Sequence, residues 1–325
     1  MYDLRGIIGD YPLNRLVIPG TRSSFSNHLN EYSRISPDGK RNEHFIFKTL
    51  KYYPKDVLNR VQSKWSKTQS RSALLQLRDG IRYFDIRTCR DRSTFKKVTM
   101  LKSCNTMFDR PIEDSLNEIV QFMKESPNEV VILDFAHFFE MSEYDHNYLS
   151  SVLKKKFGKL LANSKTIQAS SSLNEIWRQT NKQRIIVIYH NENIVKHSNG
   201  LFWSPSLSIH NNNDLPNIRY FRPIVRNSHD LFMRVSKEIS SRKVQDQSFF
   251  AIQCKITPDN LMIANGIIGR PSSALELGHF YNSEIVNWLS TQALARRQVN
   301  IIMLDNYSDS KDIMSVLLQQ NTIKI

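Results

Sequence analysis

The chain has 325 residues and a mass of 38.0 kDa, which suits one large single-core domain or two small ones, and its 40% hydrophobic content suffices for a packed interior. With 10 glycines, 11 prolines and no short fixed period, collagen-like, low-complexity and solenoid architectures are excluded. The 45 Lys and Arg against 31 Asp and Glu give a formal +14, a field that favours phospholipid headgroups, nucleic acid or soluble phosphates without choosing among them. No apolar run reaches the ~20 residues of a membrane span, and Gly9 and Asp10 break the opening patch, so neither a signal peptide nor a transmembrane helix is expected. Cys89, Cys104 and Cys254 are odd in number and without CxxC spacing, which speaks against a disulfide framework or a zinc site and for a reducing, cytoplasmic compartment.

Taken in chain order, strands are predicted at residues 16–20 (LVIPG), 81–87 (IRYFDIR) and 98–104 (VTMLKSC). Residues 88–102 form the densest basic stretch, with Arg90, Arg92, Lys96, Lys97 and Lys102 opposed only by Asp91. A helix follows, with Ile112, Leu116, Ile119, Val120 and Met123 on one face. After a strand at 130–135 (VVILDF), Leu149, Val152, Leu153, Phe157 and Leu160 mark a second helix behind a capping box of Ser142 and Asp145, which Gly158 ends. Strands at 184–190 (RIIVIYH), 249–256 (FFAIQCKI) and 300–306 (NIIMLDN), a weaker one at 201–204 (LFWS), and helices at 283–296 and 310–318 complete the pattern. Near-continuous apolar strands alternating with helices fit a distorted (β/α)8 TIM-type α/β barrel in a single domain better than a doubly wound sheet, for which neither GxGxxG nor GxxxxGK[ST] is present.

Barrel chemistry sits where strands end. The polar residues there are Arg22 and Ser23 after the first strand, Asp85 and Arg87 on the second, Asn105 after the third, Asp134 and His137 at the fourth, His190 at the fifth and Asp305 at the last. An arginine among carboxylates and imidazoles can grip a phosphodiester through its bidentate donor fork. The blocks LVIPGTRSSF, GIRYFDIR, NEVVILDFAHFF, ITP at 256–258 and NIIMLDN stand in the order of phosphatidylinositol-specific phospholipase C X-domain proteins, and the chain most resembles the eukaryotic group that consists of an X domain alone. The resemblance implies a barrel over residues 10–318, an N-terminal extension at 1–9 and a tail at 319–325. It also implies cleavage of a lipid phosphodiester by the inositol 2-hydroxyl.

That reaction needs a general base, a general acid and positive charge on the developing phosphorane. In the family, the motif PG[ST]HDS supplies one histidine and the aspartate that orients a second. Here it reads Pro19, Gly20, Thr21, Arg22, Ser23, Ser24, and Asn105 stands at the second histidine, with Thr106 at the glycine that follows it. Asp85, Arg87 and Asp305 match the retained frame, and Arg87 stands where calcium-dependent relatives carry a carboxylate, so neither a metal nor a cofactor is expected. Ala136 offers neither the calcium enzymes' glutamate nor an amide. Arg22 has essentially no neutral form at pH 7 and Asn105 has no dissociable proton. Losing both shuttles costs ~10⁴–10⁸ in rate if their effects are independent.

The expected function is therefore that of a pseudoenzyme, a phospholipase C X-like protein that binds an anionic phosphate or lipid headgroup, with peripheral membrane contact. Two alternatives stand beside it: a phosphodiesterase rewired through His137 and His190, and a basic scaffold or nucleic-acid binder, for which no binding module is visible. Trp203, after the weak strand, is the one tryptophan placed to lie against an inositol ring. The cysteines read as small buried hydrophobes, with Cys104 a thiol near the mouth but without a base to activate it.

Overall fold

The computed structural model describes residues 1–41, 54–92, 100–179, 182–205, 217–243, 245–291, 299–310 and 312–322. Lys96 and Lys97 lie outside them. The strands are β1 (Ile18–Thr21), β2 (Tyr83–Arg90), β3 (Leu101–Asn105), β4 (Met107–Pro111), β5 (Val131–Phe139), β6 (Ile185–Tyr189), β7 (Ile218–Phe221), β8 (Phe249–Gln253) and β9 (Ile301–Leu304), in one nine-stranded sheet. Parallel pairing runs from β6 through β5, β2, β1, β9 and β8 to β7. The predicted strand at 201–204 contributes one parallel bridge, Ile188 to Trp203, and no hydrogen-bonded ladder among the described residues joins it to β7. The result is an α/β single-domain barrel whose ring is left open there.

Period-2 alternation sorts each strand into two layers. Ile18, Tyr83, Ile132, Ile186, Ile188, Ile218, Phe249, Ala251, Ile301 and Met303 pack together with Trp203 inside the barrel. Phe84, Ile86, Leu133, Phe135, Val187, Ile252 and Ile302 face the helices, meeting Leu116, Ile119, Leu149, Leu153 and Ile285. The helix Ile112–Glu125 buries the predicted face, and Glu143–Phe157 begins on the Ser142/Asp145 capping box and stops at Gly158, φ 48°. The helix expected at 283–296 starts earlier, at Ala274, and is described to Thr291. At the chain's start, Ile8 is buried in the barrel-interior cluster and Leu4 packs against it.

Three expectations are corrected. The strand predicted at 98–104 is β3, which pairs antiparallel with β2 and with β4 and so stands outside the parallel ring. This hairpin brings Cys89 and Cys104 together: Thr88 faces Ser103 and Cys89 faces Lys102, the two Cα atoms lie 6.0 Å apart, and the sulfurs are bonded. Spacing in sequence shows neither strand direction nor register, which is why the pair was not foreseen, and Cys254 is left as a free buried thiol. Disulfides persist in oxidising compartments, so the cysteines no longer argue for a reducing cytoplasm. Trp203 is likewise a core residue, fully buried with its indole N–H on the Ala162 carbonyl at 2.9 Å, and it cannot reach a sugar ring.

Alkylation of the denatured, unreduced protein should label Cys254 alone, with Cys89 and Cys104 recovered as one linked peptide pair. Equal labelling of all three thiols would contradict the hairpin.

Candidate active site

Strand alternation continues past the last hydrogen-bonded residue of each strand and carries polar side chains into the mouth. Gly20 leads to Arg22, Tyr83 to Asp85 and Arg87, Ile188 to His190, Tyr220 to Arg222, Gln253 to Lys255, and Met303 to Asp305. His137 reaches the mouth by a different route. A regular strand would put Asp134 and His137 on opposite faces, but the register of β2 on β5 slips between Ile86 and Arg87, so that Asp85 faces Asp134 and Arg87 faces His137. Ala136 is the extra residue of this bulge.

At the end of β1 the mouth is filled by an ion pair. Arg22 Nε donates to Asp305 Oδ1 at 3.0 Å and its Nη2 to Oδ2 at 2.8 Å, with both side chains largely buried. Burial opposes the Arg22 charge, yet Asp305 outweighs it and holds the guanidinium above its ordinary pKa. The Arg22 carbonyl is fixed by the Thr68 hydroxyl at 3.0 Å and the Gln69 amide at 3.1 Å. Ser23 follows in left-handed backbone, φ 42°, a conformation that costs ~1–3 kcal/mol in a non-glycine residue. Its N–H donates to Asp85 Oδ2 at 3.1 Å, which ties the turn to β2. Burial pushes the Asp85 carboxyl up, but Arg87, then His137, Arg222 and the Ser23 N–H together more than compensate and keep it below its ordinary pKa.

Arg87 Nη1 pairs at 3.2 Å with Asp38, a buried carboxylate in the short helix Pro37–Arg41 that sequence reasoning missed because it stands far from β2 along the chain. Asp38 also accepts the Thr106 N–H at 2.7 Å. Thr106 adopts a left-handed, glycine-like φ of 63°. A Cβ on Gly39 would lie 2.1 Å from the Thr106 carbonyl oxygen, so only glycine allows this segment to close on β3. Asn105 is buried beside it, its amide donating to the Ser66 carbonyl at 2.5 Å.

The two histidines have different surroundings. His137 Nε2 lies 3.3 Å from Arg222 Nη1, and since a guanidinium only donates, the imidazole is the acceptor. Burial, with Arg87 and Arg222, lowers its pKa to about 4. His190 Nε2 lies 2.9 Å from Asp134 Oδ1 and 3.0 Å from the Tyr220 hydroxyl. Asp134 is fully buried and also accepts the hydroxyls of Tyr83 and Tyr220, at 2.5 and 2.6 Å on Oδ2. Burial and then Asp134 raise the pKa of both tyrosines.

The mouth thus joins Arg22, Ser23, Asp85, Arg87, Asn105, His137 and Asp305, with the His190–Asp134 network beside them. It adds Asp38, Arg222 and Lys255, which sequence reasoning missed. Lys255 lies inside the strand expected at 249–256, on the same face as Gln253, and Arg222 follows β7, a strand the sequence did not show. Among the described residues, no group of three or more His, Cys, Asp and Glu side chains is placed to hold a metal ion.

Residues 48–192 match the family described as phosphatidylinositol-specific phospholipase C, X domain. The chain is 26% identical to PI-PLC X domain-containing protein 2 of Mus musculus, over 99% of this chain and 87% of that protein. It is 30% identical to PI-PLC X domain-containing protein 1 of Homo sapiens, over 59% and 57%. Among solved structures it is similar to a phosphatidylinositol-specific phospholipase C from Staphylococcus aureus (TM-score 0.63, 15% identity, 96% and 94% coverage). It is also similar to the one from Listeria monocytogenes (TM-score 0.60, 15% identity, 96% and 95% coverage). At that identity the likeness is one of fold.

His137 gives a pH prediction. The unfolded chain takes up its proton near 6.5, whereas the folded state holds out to about 4. The unfolded state therefore binds more protons in this window, and stability falls as pH drops through it. Denaturation midpoints of His137→Gln should gain on the unaltered protein progressively from pH 6.5 to 4. Parallel curves would contradict a buried neutral imidazole.

Proposed function

The chain belongs to the phosphatidylinositol-specific phospholipase C X-domain family, and from that premise we propose that it binds an anionic phosphate, as in a phosphoinositide headgroup, without cleaving it. One observation carries the reading. Arg87 Nε and Arg222 Nε and Nη2 are buried N–H donors with no hydrogen-bond partner among the described residues, and they converge on a mouth that Arg22 and Lys255 also enter. A buried donor left unpaired costs ~1–3 kcal/mol, and phosphate oxygens are the acceptors that guanidinium forks fit best.

The same geometry argues against proton transfer. Arg22 is locked in its charged form on Asp305, and the Asn105 amide is consumed by Ser66. His137 spends its Nε2 lone pair on Arg222 and is neutral at pH 7, so it has neither a free base nitrogen there nor the second proton that a general acid gives. The rewired alternative rests on His190 alone, the imidazole with a carboxylate partner.

Peripheral membrane contact is supported by the rim. Ile224 follows β7, while Leu261 and Ile268 follow β8; they are 77%, 68% and 96% exposed. Their two loops are joined by the Thr257 N–H on the Val225 carbonyl at 2.8 Å and by the Arg226–Asp259 pair at 3.2 Å. Apolar side chains interspersed with Arg226 and Arg270 suit an anionic interface. No helix among the described residues is long and apolar enough to cross a membrane.

The purified protein should show no phosphatidylinositol cleavage, with or without Ca²⁺, yet bind phosphatidylinositol vesicles in a salt-sensitive manner. Ile224→Glu with Ile268→Glu should weaken that binding at least tenfold. The triple change Arg22→His, Ser23→Asp, Asn105→His should produce turnover. Robust turnover by the unaltered protein, lost in His190→Ala, would establish the rewired hydrolase instead, and tight binding to nucleic acid with none to vesicles would establish the basic scaffold.

A further inference from the structure

Lys255 lies two residues beyond Gln253, the last residue of β8, and is half-buried at the mouth. The charged groups that act on it are Arg22 from the loop after β1, Arg87 from β2 and Asp305 from the end of β9. Tyr281, from the helix Ala274–Thr291, lines with Lys255 and Asp305 a small void of about 10 Å³. Both carboxylates that might neutralise a lysine here are already engaged. Asp305 gives both oxygens to Arg22, and Asp38 pairs with Arg87. The hydrogen bond that Lys255 Nζ makes goes to a neutral hydroxyl, Thr257 Oγ1, at 3.1 Å. An ammonium ion in this position would be poorly solvated, flanked by two guanidinium ions and without a counter-ion of its own.

Building on the anion-binding reading above, we propose that Lys255 is a proton-linked arm of the same site. In the ligand-free protein it is largely a neutral amine, and when a phosphate group arrives it takes a proton from solvent and donates to the anion. The direction follows from the surroundings: burial, then Arg22, holds the amine down to about 7, against the opposing pull of Asp305, and a bound anion reverses the sign of the local field. No bond is made to the ligand; one proton moves from buffer to Nζ. Arg22, Arg87 and Arg222 give the site its standing charge, and Lys255 makes its affinity respond to pH near neutrality.

The test is calorimetric titration of the full chain at pH 8 in two buffers of different ionisation enthalpy. Glycerophosphoinositol and sulfate serve as probes because neither titrates near neutrality. The unaltered protein should take up a substantial fraction of a proton per anion, since at pH 8 an amine held to about 7 starts only about one-tenth protonated. Lys255→Arg should bind without uptake, and Lys255→Met should bind at least tenfold more weakly, also without uptake. Uptake with both probes assigns the site to the phosphodiester headgroup, and uptake with sulfate alone to free inorganic anions. Binding with no uptake by the unaltered protein, or uptake that persists in Lys255→Arg, overturns this inference and leaves the anion-binding reading standing. Absence of binding by both probes overturns both. A second measurement avoids variants: acetylation of Lys255, followed by mass spectrometry, should rise with a midpoint near pH 7 and move upward with sulfate. A midpoint above pH 10 would overturn the inference.

Discussion

The ion pair between Arg22 and Asp305 is the constraint on which the mouth of this barrel depends. It is bidentate and largely buried, and it joins the ends of β1 and β9, which are neighbours in the ring. The Asp305 carboxylate there backs a permanent cation. Breaking such a pair by removing one partner strands the other charge in a poorly solvated site, so the arrangement is held by the cost of its alternatives as much as by its own attraction. With Asp305 fully engaged, Lys255 has no counter-ion, and with Arg22 committed, Arg87 and Arg222 carry the donors that remain open.

The rest of the site is positioned by features that act through the backbone. The bulge at Ala136 turns His137 toward Arg222, and the left-handed residues Ser23 and Thr106 turn their N–H groups onto Asp85 and Asp38. The disulfide between Cys89 and Cys104 closes the hairpin one residue before Asn105. Closing a loop of about 15 residues is worth ~3 kcal/mol in chain-entropy terms. Each device lies within a few residues of a mouth side chain, so strain and covalent bracing concentrate where the fold must hold charges in place.

Much of this was legible in the sequence, for identifiable reasons. β5, β6 and β9 are covered on both faces and so read as unbroken apolar runs, and the capping box at Ser142 is a local signal that needs no tertiary context. β7 was missed because its sequence, IRYF, is mostly half-buried and carries an arginine. β4 was missed because the turn before it uses Thr106 in a left-handed conformation where glycine would have announced the bend. The frame of Arg22, Asp85, Arg87 and Asp305 could be named from motif order. Asp38 was invisible, since no local pattern joins it to a strand 49 positions away. Arg222 was overlooked together with β7, which precedes it, and Lys255 because it sits inside the apolar run FFAIQCKI rather than at its end.

The central claim is that this mouth holds an anion on fixed cations while moving no proton to or from it. The most direct measurement is a crystal structure of the protein with glycerophosphoinositol. The account predicts the phosphate within hydrogen-bond distance of Arg87 Nε and of Arg222, with the Arg22–Asp305 pair intact beside it. A phosphate bound elsewhere, or one that draws Arg22 away and leaves His190 facing the inositol 2-hydroxyl, would contradict it.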